Sequence, residues 1–211
     1  MKIASIISRY NRTRKYDRFL QEFNLATDTT ILDVGFTNTE YQDADNFLEK
    51  NYPHLSNITA LGIEIHGSDS FRRRYPDVEV VLYEGSVFPF DDNRFDVGWS
   101  NAVIEHVGSE EHQITFLKEL RRTCRTIYFT TPNRYFPFEI HTRLPLLHYL
   151  PKRIFDKIID HTSKKWASGD YMHLLSHRKL KSLLSKAGIT QYKIVRNRLF
   201  GFTMDFSIII K

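Results

Sequence analysis

Cysteine occurs once in the 211 residues, at Cys124. A lone thiol excludes a disulfide framework and any metal site built from several thiolates. His141 and His148 follow no familiar ligand spacing, so no metal is expected. No apolar run approaches the roughly 18 residues that a membrane-spanning helix needs. The apolar stretch near Met1 is too short for a secretory signal, and the expected location is a reducing cytoplasm. The composition of a disordered chain is absent too: hydrophobic residues make up 41% and charged residues 26%, which describes a globule able to bury a full core.

What is present is unevenly charged. Residues 1–27 carry a balance of +4, residues 28–111 one of −12, residues 112–151 again +4, and residues 152–199 one of +9, for a total of +5. An acidic half and a basic half suggest different partners for each, although solvated helix faces alone would also produce such a pattern.

Short apolar runs alternate with helix-like stretches. Strands are predicted at 30–34, 58–64, 78–83, 95–99 and 126–130, with helices over 40–51, 66–75 and 109–122 between them. Strand, helix, strand at this spacing predicts parallel pairing with crossover helices. A helix over 178–187 stops at Gly188, and strands at 192–196 and 203–210 flank a turn at Gly201 to make a terminal hairpin. The expected fold class is therefore α/β, a mostly parallel doubly wound sheet closed by an antiparallel C-terminal hairpin. A basic, aromatic-bearing helix leads at 8–25. Residues 132–175 hold Pro132, Pro137, Pro145 and Pro151 and read as a lid insertion over the strand ends. One domain, 1–211, is expected: a leading helix (1–27), a core (28–131), the lid (132–175) and a C-terminal helix and hairpin (176–211).

The chemistry concentrates at strand ends. Ile31-Leu-Asp-Val-Gly35 ends a strand with a carboxylate, Asp33, and with a glycine where the chain turns close to a ligand. The next strand ends in Gly62-Ile-Glu64, a carboxylate placed where an α/β fold binds the two hydroxyls of a ribose. Ser86 in Glu84-Gly-Ser-Val-Phe88 is placed to face a base edge, with Val87 and Phe88 as apolar surface for a purine. Trp99-Ser-Asn-Ala-Val-Ile-Glu-His-Val107 follows the fourth strand. Each segment also has a plain reading as a strand-to-helix turn or a solvated strand end.

In this order the four segments resemble a class I S-adenosylmethionine-dependent methyltransferase of the small-molecule type, similar to those associated with methylation of polysaccharides, lipids and quinones. The resemblance covers about 28–135 and the terminal hairpin, and it implies a Rossmann-like fold with S-adenosyl-L-methionine as cofactor. It implies that Asp33, Gly35, Phe36 and Thr37 flank the methionine part and that Glu64 binds the ribose. Ser86 and Val87 would contact adenine, with Ser100 and Asn101 beside the methionine end. Two departures stand out. Gly35 is followed by Phe36, Thr37 and Asn38 instead of a Gly-X-Gly-X-Gly loop, and Ser86 replaces the usual Asp of the third motif. Phe36 is therefore expected to turn its ring away from the cofactor, and Thr37 and Asn38 to offer polar groups at a helix start.

Methyl transfer needs in-line alignment and, for a hydroxyl acceptor, a base. His106, beside Glu105, and His141 in the lid are the catalytic candidates, and both stay open. Asn133, Arg134 and Arg143 are the candidate substrate ligands, the arginines as partners for a phosphate or carboxylate. The expected acceptor is a small molecule, anionic or glycosylated, with a sugar- or lipid-linked form among the candidates, methylated on oxygen. Lys152–Trp166 reads as an amphipathic helix suited either to packing on the protein or to peripheral contact with anionic lipid. Two other readings remain: a nucleic-acid methyltransferase gripping RNA with its basic ends and aromatic rings, and a binding module that kept the fold without the chemistry.

Overall fold

The computed structural model describes residues 2–137, 149, 152–162 and 172–211. Its elements in chain order are α1 (Lys2–Glu22), β1 (Ile31–Val34), α2 (Phe47–Asn51), β2 (Ile58–Ile63), α3 (Asp69–Arg74), β3 (Glu79–Tyr83), β4 (Phe95–Asn101), α4 (Glu110–Thr123), β5 (Cys124–Pro132), α5 (Lys152–Ile159), α6 (His177–Lys186), β6 (Lys193–Leu199) and β7 (Phe202–Ile210). The strands form one seven-stranded sheet in the order β3-β2-β1-β4-β5-β7-β6. β1 pairs in parallel with β2 and β4, and β2 with β3. Only Phe200 and Gly201 separate β6 from β7, and both have positive φ, at 49° and 84°. A two-residue turn of that kind joins antiparallel neighbours. The lid expected over 132–175 lies in part outside the described residues.

Packing divides the chain into two compact units. The first comprises Met1–Asn101, Glu119–Phe129 and Ile209–Lys211, and the second Ala102–Lys118 and Thr130–Ile208.

In the first unit, α1 buries Tyr16, Phe19 and Phe23, positions spaced to share one helix face. Phe19 meets Trp99 of β4 edge-on at 4.8 Å, and Trp99 stacks on Tyr128 of β5 at 5.3 Å and 14°. The Tyr128 hydroxyl donates to the Lys15 carbonyl (2.9 Å), satisfying a polar atom inside this aromatic core. The rings that the sequence places on a basic leader are thus core residues, and only Tyr10 stays well exposed on the described part of that helix's aromatic set. β4 approaches Cys124 closely at Gly98, where an added Cβ would lie 2.8 Å from the sulfur.

The expected helix over 40–51 shortens to α2. The Asp45 carboxylate accepts from the Tyr41 and Gln42 N–H groups (2.8 and 2.9 Å), and Asn46 enters α2 from a left-handed φ of 45°. Side chains that bond locally to the backbone in this way compete with helix.

In the second unit, α6 starts at Ser176, whose hydroxyl accepts from the Lys179 N–H, and buries Leu180, Leu183 and Leu184. Lys179 and Lys186 both pair with Glu110 of α4, holding its carboxyl down at about 2. β6 and β7 are tied through the Asn197 amide, which donates to Asp205 (2.5 Å) and Ser207 (2.8 Å). No helix among the described residues is long and apolar enough to cross a membrane.

Candidate active site

Register places the strand tips together. Asp33 lies opposite Ala60 on β2 and opposite Trp99 on β4, and Ile63 lies opposite Tyr83 on β3. Parallel strands in this register bring Gly35, Glu64, Gly85 and Asn101 to one edge of the first unit. The strand order reverses between β1 and β4, and open α/β sheets bind ligands at the carboxyl ends on either side of such a reversal.

At the tip of β1, Asp33 is 5% exposed and Glu49 of α2 only 3%. Among the described residues, no N–H or hydroxyl group donates to either Glu49 oxygen. Burial, then the Glu49 carboxyl beside it, pushes Asp33 well above the usual carboxylate range, while Arg12 pulls the other way. Burial also raises Glu49, offset in part by its interaction with Asp33. Two buried carboxyls side by side oppose each other's ionisation, which favours a proton shared between them.

The loop after Gly35 is built from side chains instead of glycines. Gly35 itself has a φ of 100°, which suits its type, and its N–H donates to the Leu61 carbonyl (2.9 Å). The Phe36 ring turns onto Phe71 (4.4 Å between centroids) and fills the space above Gly62, where a Cβ would come within 2.5 Å of it. The Thr37 N–H donates to the Asn46 side chain, whose amide donates back to the Thr37 carbonyl (both 2.8 Å). Asn38 accepts from the Ser70 and Phe71 N–H groups (2.9 and 3.2 Å), capping α3. Glu40 then gathers Lys50 (2.9 Å), Arg74 (2.5 Å), the Tyr75 hydroxyl (2.7 Å) and Asn46 (2.9 Å). Burial opposes ionisation of Glu40, yet these donors hold it below the ordinary range. Phe36 and Thr37, expected among the cofactor ligands, therefore spend the ring and both backbone polar groups respectively on folding the loop.

At the tips of β2 and β3, Glu64 and Ser86 are exposed. Beside them stand Ile65 (85% exposed) and Val87 (63% exposed). The two loops are neighbours, since a Cβ at Gly85 would touch Ile63 at 4.0 Å. Phe88, read as purine-facing surface, is instead buried against Tyr83. Its N–H donates to Glu119 (2.9 Å), and that carboxylate is held in turn by Arg122 (2.7 Å). At the end of β4, Ser100 is buried and its hydroxyl donates to the Val34 carbonyl (3.1 Å), tying β4 to β1. That hydroxyl is a strand clamp. Asn101 next to it is half-buried.

In the second unit, His106 closes a 3-10 turn at Ile104–His106 and is half-buried. Its neighbour Glu105 is fully buried. The Glu105 carboxylate accepts from the Thr131 hydroxyl (3.0 Å), and its carbonyl accepts from the His173 N–H (2.7 Å). Glu105 thus anchors the turn that carries His106. Ala102, at the head of this unit, has a φ of 61°, a conformation costly for any residue with a Cβ. Asn133 is buried; its amide donates to the Thr203 carbonyl (2.8 Å) and its oxygen accepts from the Tyr135 N–H (3.2 Å). Its side chain braces the chain after β5. Arg134 is exposed. His141 and Arg143 lie outside the described residues. Sequence reasoning missed Glu49, because only the docking of a five-residue helix buries it.

A parallel sheet with a reversal between β1 and β4, acids at the strand tips and an antiparallel last strand defines the class I methyltransferase fold. Residues 32–126 match the family model described as a methyltransferase domain, a class of enzyme that takes S-adenosylmethionine as methyl donor. Solved structures agree on the fold. A SAM-dependent methyltransferase from Aquifex aeolicus is 18% identical, with a TM-score of 0.55 over 92% of this chain and 87% of that one. The N-terminal domain of EvdMO1, solved in the presence of SAH and D-fucose, is 18% identical, with a TM-score of 0.58 over 95% and 82%. A Haloferax volcanii putative methyltransferase, solved in complex with the Trm112 methyltransferase activator, is 14% identical, with a TM-score of 0.54 over 96% and 92%. No curated protein matches the sequence.

Proposed function

We propose that the protein transfers a methyl group from S-adenosylmethionine to an oxygen of a small acceptor that is glycosylated or anionic. The observation that carries the cofactor half is the exposed Glu64 at the tip of β2, flanked by exposed Ile65 and Val87. Exposed aliphatic side chains beside a strand-end carboxylate suit an adenosine: the carboxylate accepts from both ribose hydroxyls, and the aliphatic groups cover the base. The buried Asp33–Glu49 pair fits the cationic end of the same molecule, because the Glu49 oxygens, which no N–H or hydroxyl group among the described residues satisfies, call for a proton or a cation. Bound there, the cofactor supplies an electrophilic methyl group on its sulfonium. Glu64 orients the nucleoside, the Asp33–Glu49 pair sets the charge at the β1 tip, and Ser86 presents a hydroxyl to the base edge. His106 or His141 takes the acceptor proton, and the chain after β5 holds the acceptor.

Support for a sugar-like acceptor comes from the EvdMO1 domain, solved with D-fucose. Nucleic acid ranks second as acceptor, since Tyr16, Phe19 and Phe23 are core residues and give no stacking platform.

Calorimetric titration with S-adenosylmethionine and S-adenosylhomocysteine tests the reading. Wild type should bind in the micromolar range, and Glu64→Ala should weaken binding by about tenfold or more, the loss expected for hydrogen bonds to a charged group. Equal affinity in wild type and Glu64→Ala would remove Glu64 from the site. No binding by the well-folded wild type would favour a module without the chemistry.

A further inference from the structure

The second unit contains a cavity of about 360 Å³ that the expected substrate ligand Arg134 does not line. Its walls include Tyr135, His177, Arg178, Arg196, Thr203 and Phe206, with Asn133 and Ser176 completing the rim. The volume is that of a small-ligand site. Arg178 comes from the first turn of α6 and Arg196 from the middle of β6. Both are exposed, and neither makes a hydrogen bond or ion pair among the described residues. Among the described residues no acidic side chain lines the cavity. Asp205, the nearest acid along β7, is buried and engaged by the Asn197 amide.

Two guanidinium groups that line one opening, with no acidic side chain beside them among the described residues, make a receptor suited to an anion. A guanidinium offers a planar fork of donors matched to phosphate or carboxylate oxygens, and it is less strongly hydrated than an ammonium. The remaining walls are of another kind. Phe206 is buried with its ring 5.7 Å from that of His177, and Tyr135 is 62% exposed. The open face of Tyr135 beside an anion receptor suits a ring with an apolar side, such as a pyranose. Burial, then Arg196 and Lys181, hold His177 below the usual imidazole range. Asn133 and Ser176 spend their side chains on Thr203, Tyr135 and Lys179. They shape the rim and leave binding to the arginines.

We infer that this cavity binds a sugar phosphate, with Arg178 and Arg196 on the phosphoryl oxygens and Tyr135 on the ring. The inference rests on the methyltransferase reading only in taking the sugar phosphate as the acceptor; binding itself is independent of that reading.

The test is calorimetric titration of the full chain with glucose 1-phosphate, glucose and inorganic phosphate at one ionic strength, each with and without S-adenosylhomocysteine. Glucose 1-phosphate should bind, glucose should not, and inorganic phosphate should bind more weakly. Arg178→Ala/Arg196→Ala should weaken glucose 1-phosphate at least tenfold and leave S-adenosylhomocysteine affinity unchanged, while Arg178→Lys/Arg196→Lys should retain part of the binding. In the proton NMR spectrum, the His177 ring signals should titrate at higher pH when glucose 1-phosphate is present, since an anion offsets Arg196. Absence of glucose 1-phosphate binding, or equal binding by the double alanine variant, overturns the inference. Equal affinity for inorganic phosphate overturns the sugar part of it. Loss of S-adenosylhomocysteine binding in wild type, with glucose 1-phosphate still bound, would instead defeat the cofactor reading and leave the cavity assignment standing.

Discussion

Replacing Glu49 by Gln should make the protein more stable at pH 8 and leave it nearly unchanged at pH 5. In the wild type, Asp33 and Glu49 are buried together, and both carboxyls are raised, Asp33 well above its ordinary value. The folded state therefore holds a proton that the unfolded chain releases near pH 4. A raised acid contributes stability that is fully present below its unfolded value and is lost as pH rises through its folded value. Each unit of upward displacement corresponds to about 1.4 kcal/mol. The amide introduced by Glu49→Gln donates an N–H to the Asp33 carboxylate without needing that proton, and a hydrogen bond to a charged group contributes about 1.5–3 kcal/mol. Allowing for the carboxyl–carboxyl bond that is lost, the net gain at pH 8 is about 1–2 kcal/mol, which moves a urea midpoint by roughly 0.5–1 M. Urea unfolding of both proteins from pH 5 to 8.5 measures this. The difference between them cancels the opposite slope from Glu40, Asp96, Glu110 and Glu119, whose carboxyls are all lowered in the fold. If Glu49→Gln were destabilised by the same amount at every pH, the shared proton would be refuted.

Two further outcomes follow from close contacts in the first unit. Gly62→Ala places a Cβ 2.5 Å from the Phe36 ring, and overpacking of this kind should cost about 1–3 kcal/mol by urea unfolding, with partial recovery in Gly62→Ala/Phe36→Leu; an unchanged midpoint would mean that the ring does not fill that space. Cys124 is fully buried and its thiol is pushed up to about 12 by burial, with Thr123 pulling back. It should resist an aromatic disulfide reagent at pH 8 in the native protein and react once in urea, and prompt labelling of the folded chain would contradict that burial.

The parallel core was legible because its signals are local and agree with one another. Apolar runs at 30–34, 58–64 and 95–99 lie within a residue or two of β1, β2 and β4, and the glycine and carboxylate at the ends of the first two follow directly. The terminal hairpin was legible from its Gly201 turn for the same reason. Helix lengths were less so: the Asp45 and Asn46 side chains satisfy backbone groups over 37–42 and cut the expected helix to α2. Aromatic residues misled twice. Phe88 and the rings of α1 have the composition of a binding surface, and whether such a ring faces ligand or core depends on what packs on it.

The amino-acid order by itself determined the succession of strands, and parallel connections then carried Asp33, Glu64 and Ser86 to one edge, since each lies within a few residues of the end of its own strand. Tertiary structure decided the partnerships that no spacing encodes. Glu49 meets Asp33 because α2 docks onto the tip of β1, and Ser100 clamps Val34 because β4 lies beside β1. Arg178 and Arg196 share a cavity because α6 and β6 fold together within the second unit. Side-chain charge and polarity are properties of a residue, whereas burial and pairing are properties of its neighbours, and distant segments supply those only once the chain has folded.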